Sequence, residues 1–151
     1  MTKICFDDGN IRWYQLDGVD HASYHVCSVD VDNAIVDVLF KFDANQRVIL
    51  HRHHADYRTF VVQGELRLYR ANGDLIETRP VGSYVEGHAG GEPHTEGGGD
   101  QDAIVFFSNR GTSGMIYELL DGDMNTVATL GLQDFKALME AQEPAVQPSK
   151  N

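Results

Sequence analysis

The chain has 151 residues, 42% of them hydrophobic and 23% charged, enough apolar material for one domain with a sizeable core. Twenty-three acidic against twelve basic side chains leave a formal charge of −11, with no local basic cluster to offset it. That balance argues against nucleic acid and anionic membrane surfaces as partners.

No run is long enough to span a bilayer, and Met1 to Gly9 carries no signal-like apolar stretch, so a cytoplasmic protein is expected. Cys5 and Cys27 lack any metal or redox spacing and read as plain thiols in a reducing compartment.

Taken in chain order, short apolar runs broken by turn residues predict strands over 11–16, 24–29, 34–42, 47–53, 58–63, 65–70, 75–79, 84–87, 103–109, 115–120 and 126–130. Asn72-Gly73 between two runs predicts a type I′ hairpin, and Gly64 a second tight reversal. Between His88 and His94 the chain is too glycine-rich to read as regular structure, and no strand is predicted between 87 and 103. Leu132, Phe135, Leu138 and Met139 recur at spacings of three and four and predict one short helix covering an end or edge of the sheets. So many strands with so little helix predict an all-β antiparallel sandwich or barrel. One domain over 1–142 and a frayed tail over 143–151 complete the reading.

The chemistry concentrates in the histidines. In His51-Arg52-His53 the two imidazoles share one strand face, with Cβ atoms about 6–7 Å apart. Both rings can then reach one ion at about 2.0–2.1 Å from each nitrogen. A pair of inward histidines is costly to bury without a partner, and a metal supplies one. On an exposed edge strand the same pair would need no ion.

His94, in Gly90-Gly91-Glu92-Pro93-His94, is the preferred third ligand because its turn lets the backbone approach closely; His88 is the alternative. His54 points away from His53 and is expected at the surface or behind the ligands. His21 and His25 have no metal spacing and are expected as surface or hydrogen-bonded histidines.

His51-x-His53 with Gly64 eleven residues on resembles the first cupin motif, and the run from Gly82 through Gly87-His88 to Pro93-His94 resembles the second. The similarity spans roughly residues 35–110 and implies a cupin-type β-sandwich or jelly roll. A glutamate belonging to the first motif should fall near Tyr57 or Arg58 and is missing, which implies a metal held by three neutral histidines. That pattern, with the C-terminal block from Leu120 to Gly131 and its helix, resembles the acetylacetone dioxygenase branch of the ChrR-like cupins.

The resemblance implies a mononuclear non-haem iron(II) site that cleaves a carbon–carbon bond of a β-diketone with dioxygen. Its partners would be a small carbonyl substrate and O2, and its assembly a homodimer or homotetramer. Zinc, nickel and cobalt suit the same ligands. The alternatives on this fold are a non-catalytic zinc-binding sensor or regulatory cupin and a metal-dependent isomerase or hydrolase. Glu92 and Glu96, flanking His94, are candidates for general base or for orienting a ligand imidazole. Arg58 is a candidate anion anchor, and Phe60 and Phe106 belong to a group of strand residues that could line the substrate space, although only one parity of each strand can face inward.

Overall fold

The computed structural model describes residues 8–111 and 114–142; Cys5 and the expected tail over 143–151 lie outside them. After a 3-10 turn at Asp8–Asn10 come β1 (Tyr14–Gln15), β2 (Ala22–Asp30), β3 (Ile35–Phe42), β4 (His51–His53), β5 (Asp56–Gln63), β6 (Leu66–Arg70) and β7 (Leu75–Arg79). They are followed by β8 (Tyr84–Gly87), β9 (His94–Gly98), β10 (Ala103–Arg110), β11 (Met115–Leu120), β12 (Thr126–Gly131) and α1 (Leu132–Ala141). Two six-stranded sheets result, in the orders β1-β2-β3-β10-β5-β8 and β12-β11-β4-β9-β6-β7. Every ladder between these strands is antiparallel.

The two inner faces share one core. Val36, Val38, Val61, Val105 and Phe107 come from the first sheet and Leu66, Ile116 and Tyr117 from the second. Alternation along each strand sets what faces it. On β5 the side chains of 57, 59 and 61 point in, while Asp56, Arg58 and Phe60 are exposed. A smaller cluster on the outer side of the first sheet joins Ile11, Leu39 and Ile104 with Trp13, Cys27 and Phe106.

α1 forms where the apolar spacing predicts it. Its start is set by Asp134, whose carboxylate accepts from the Gly131 N–H at 2.7 Å. Leu132 and Phe135 are buried, each worth about 1.5–3 kcal/mol by area. The following Gln142 satisfies the free edge of β2: its amide accepts from Val26 N at 2.6 Å and donates to Val26 O at 3.0 Å. The helix therefore closes a sheet edge that would otherwise expose unpaired backbone.

The structure corrects four readings of strands and turns. β9, where no strand is predicted, is a strand paired with β4 and β6. Its glycines are there because another backbone crosses it: a Cβ on Gly97 would overlap the Gln46 carbonyl, and one on Gly98 would lie 2.7 Å from Gln101 O. The strand expected over 47–53 keeps ladder pairing only at 51–53, because residues before it carry the chain from the first sheet to the second. Gly64 (φ +70°) makes the same kind of transfer between β5 and β6, so it is not a hairpin turn.

Asn72-Gly73 does close a hairpin, but not as a type I′ turn. Among the described residues Gly73 has positive φ (+96°) and Asn72 does not. The bonds Gly73 N to Arg70 O (2.9 Å) and Arg70 N to Asp74 O (2.8 Å) belong to a three-residue loop with a glycine bulge.

β4 is only three residues long and is held from behind by β11. Arg52 pairs with Glu118 in the ladder, and the Glu118 Oε1 receives Arg52 Nη1 and His54 Nε2, each at 3.0 Å. Thr126 Oγ1 donates to the other carboxylate oxygen at 2.6 Å. The threonine hydroxyl first, then His54, hold the Glu118 carboxyl down at about 2, with Arg52 adding its charge against a smaller burial effect.

Three substitutions test these contacts. Gly97→Ala should destabilise by about 2–4 kcal/mol in urea unfolding, since backbone cannot yield as a side chain can. Gly122→Ala, with nothing within 4 Å of the added carbon, should be near neutral in the same assay. Glu118→Gln should lower the thermal midpoint at neutral pH. Because the folded pKa is depressed, the wild type's advantage should be full above about pH 4.5 and vanish towards pH 2. An advantage that persists unchanged at the acid end would show that Glu118 is not titrating there.

Candidate metal centre

His51 and His53 project inward from β4, and the Cα register places His94 of β9 directly opposite His51. One nitrogen from each ring lies within 4.8 Å of the other two. The Nε2 atoms of His53 and His94 are 3.3 Å apart. Two nitrogens held at about 2.1 Å by a single ion, at right angles, would be about 3 Å apart, so the donor set fits a divalent metal with little adjustment.

The outer nitrogens are arranged to keep the inner ones free. His51 Nδ1 lies 2.9 Å from the Ile49 carbonyl, which accepts its proton and leaves the Nε2 lone pair facing the centre. A backbone hydrogen bond with Glu92 holds His94 in the same sense. In both cases the acceptor is two residues upstream of the ring. His53 Nδ1 is buried without a hydrogen-bond partner. Packing holds its ring instead: Tyr57 stacks on it at 4.0 Å and 24°, and Tyr117 meets it edge-on at 5.3 Å. Gly87, opposite Tyr57 on β8, makes room, since a Cβ there would run into the tyrosine ring.

Glu96 is the buried carboxylate of the site. It follows His94 by two residues on β9, so strand alternation turns it to the same face. Its Oε1 lies 3.3 Å from His51 Nε2 and its Oε2 3.9 Å from His94 Nε2. Burial works against its charge, but the His51 hydrogen bond and the surrounding imidazoles outweigh it and hold the carboxyl at about 2. Burial likewise opposes charge on His51, and Glu96 overcomes it, so His51 binds a proton more readily than usual. Burial first, then the charge of His51, push His94 down to about 4 and His53 well below its ordinary value.

Beside the His51–Glu96 pair is an apolar cavity lined by Leu16, Val19, Phe40, Phe42, Leu119 and Leu130, among others. Phe107 and Tyr117 complete the wall next to the imidazoles. On the other side, the Arg79 guanidinium is buried. Its Nη1 lies 3.4 Å from Thr59 Oγ1 and its Nη2 donates to Glu77 at 2.7 Å. Its charge is one of the influences that lower His53 and His94.

Several expected site residues lie elsewhere. Arg58 is on the outer face, 3.6 Å from Glu86, because it alternates with inward Tyr57 and Thr59. Phe60 is 42% exposed, and Phe106 packs in the outer cluster, again by strand parity; none of the three faces the histidines. Glu92 is exposed and touches the site only through its backbone. His88 is 85% exposed beside Asp56, away from the cluster. His54 points out to Glu118, His21 lies by Asp43, and His25 bonds the Arg12 carbonyl. Burial pushes the Cys27 thiol up to about 11, which keeps it protonated and unreactive.

Tyr57, Tyr117, Arg79 and Thr59 are the site residues that the sequence reading missed. Parity from His53 through the turn cannot be counted, so Tyr57 carried no signal, and Arg79 looks like any charged strand end. Glu96 was legible through its spacing from His94 once that segment is taken as a strand.

No family model matches the sequence, and no curated protein matches it. The fold does match solved structures. An acetylacetone dioxygenase from Acinetobacter johnsonii superposes with a TM-score of 0.69 at 13% identity, over 93% of this chain and 92% of that one. An RmlC-like cupin from Ralstonia eutropha JMP134 gives 0.69 at 19% identity, over 97% and 91%. A polyketide cyclase from Streptomyces resistomycificus gives 0.58 at 15% identity, over 87% and 85%. The two antiparallel sheets, the short C-terminal helix and these likenesses together show that the chain has the cupin fold.

Proposed function

We propose that this protein is a mononuclear iron(II) dioxygenase that cleaves a carbon–carbon bond of a small β-diketone or a related enolisable carbonyl compound. The observation that carries the reading is the convergence of three imidazoles, His51 and His53 buried and His94 partly so, beside an apolar cavity, with His51 Nδ1 tied to the Ile49 carbonyl and the His94 ring to the Glu92 backbone. The likeness to an acetylacetone dioxygenase supports the choice of substrate class.

His51, His53 and His94 would hold the metal. Bound iron(II) would supply Lewis acidity and the redox capacity that reaction with dioxygen requires. The protein's part is binding, orientation and exclusion of water. The leucine and phenylalanine side chains of the cavity take the alkyl arms of the substrate and keep its carbonyl end towards the imidazoles. Burial raises the Tyr57 hydroxyl above its ordinary pKa, so it remains a neutral donor at the edge of the site. Tyr117 is spoken for, since its hydroxyl donates to Asn109 at 3.1 Å; its ring serves as wall.

Iron-loaded protein should consume dioxygen with pentane-2,4-dione or a close analogue, one O2 for each dione lost, as read with an oxygen electrode. No uptake across a panel of diketones and hydroxyketones at full iron loading would sink the dioxygenase reading; the site would then be a sensor or a non-oxidative enzyme. His51→Ala and His94→Ala should each lose stoichiometric metal, measured by elemental analysis after gel filtration, and full retention by either would refute the ligand set. Arg58→Ala should leave turnover within about twofold of wild type, as expected for an exposed side chain outside the site. A large loss would show that the outer face contributes.

A further inference from the structure

We propose that Glu96 is a fourth protein ligand to the metal, a carboxylate supplied by β9 in place of the one missing after His51-x-His53. The inference rests on the metal-binding reading above and adds to it a ligand from a different strand.

The argument begins with the partners of the carboxylate. Glu96 is 5% exposed, and its oxygens face His51 Nε2 at 3.3 Å and His94 Nε2 at 3.9 Å. These are the nitrogens that must turn their lone pairs to the ion, because the backbone of Ile49 occupies the other nitrogen of His51 and that of Glu92 bonds the His94 ring. Once a metal sits on His51 Nε2, that atom has no proton to donate. Glu96 would then be a buried anion stripped of its hydrogen-bond donor, which is strongly unfavourable unless the cation itself replaces the proton.

Geometry agrees. Adjacent ligand atoms on one ion at about 2.1 Å are about 3 Å apart, close to the 3.3 Å between Glu96 and His51. Glu96 stands beside two of the imidazoles and outside the 4.8 Å set that unites them with His53. Rotation of the glutamate side chain would be needed to carry one oxygen to the ion that the three imidazoles share. The consequence for the site would be a net charge of +1 instead of +2 and one position fewer for substrate than three histidines alone would leave.

A crystal structure of the zinc-loaded wild type reads the assignment directly. A Glu96 oxygen should lie about 2.0–2.2 Å from the ion. Zinc held by the three histidines with both Glu96 oxygens farther than about 3.5 Å would overturn the proposal, since the carboxylate would then act at most through a bound water. In chelator-competition titrations with zinc, Glu96→Gln should bind about 100-fold or more weakly, beyond the usual loss of an outer partner. Glu96→Asp, too short to span the same gap, should be weakened as well. Unchanged affinity in both variants, with wild-type circular dichroism, would overturn the proposal while leaving the three histidines in place. Wild type that binds no zinc at all would instead overturn the metal-binding reading itself.

Discussion

The structure turns on one constraint: four groups that water would solvate well are enclosed in an apolar sandwich. Three imidazoles and a carboxylate share the inner face of one sheet, and their neighbours are aromatic rings and aliphatic chains. Burial alone would strip each of its solvation at a cost of several kcal/mol for a charged group. Each compensation visible around them keeps the inner nitrogens free: carbonyls two residues upstream take the outer protons of His51 and His94, and stacked aromatic rings hold His53 where no hydrogen bond is made. Glu96 stands 3.3 Å from the inner nitrogen of His51.

Holding such a group requires strands whose positions are set from outside. β4 has three residues, too few to be secure on its own ladder. Behind it, Arg52 and His54 reach Glu118, which Thr126 ties in turn to β12. β9 is held by the chain crossing at Gln46 and by Val48 N bonding Glu96 O at 2.9 Å. The crossing comes so close that side chains cannot be accommodated at Gly97. Glycine at that point does not loosen the strand; it lets a second backbone press on the strand that carries His94 and Glu96.

Strand parity divides the residues around the site into those that can act on a substrate and those that cannot. Tyr57 and Arg58 both fall where a first-motif carboxylate would be sought, yet one stacks on His53 and the other pairs with Glu86 at the surface. Phe60 and Phe106 follow Arg58 outward, while Phe107 lines the cavity. The apolar composition of β5 and β10 announces strands, but a run buried partly on both sides gives no alternation from which to read the inward set. Missing the β9 strand had a similar origin, since glycine content alone does not distinguish a loop from a close crossing of backbones.

Local properties were legible in the sequence. The antiparallel all-β architecture, the terminal helix and the shared face of His51 and His53 follow from apolar spacing and from a side-chain period of two, which need no knowledge of the rest of the chain. Contacts between distant segments were decided by the tertiary structure. Which histidine joins the pair depends on the register that sets His94 against His51, and the roles of Tyr57 and Arg79 depend on which sheet face meets the core. Periodicity specifies how neighbours along one strand relate. Register and parity across a turn depend on packing between strands, and that packing brings one carboxylate to the imidazoles and leaves His88 and Glu92 in solvent.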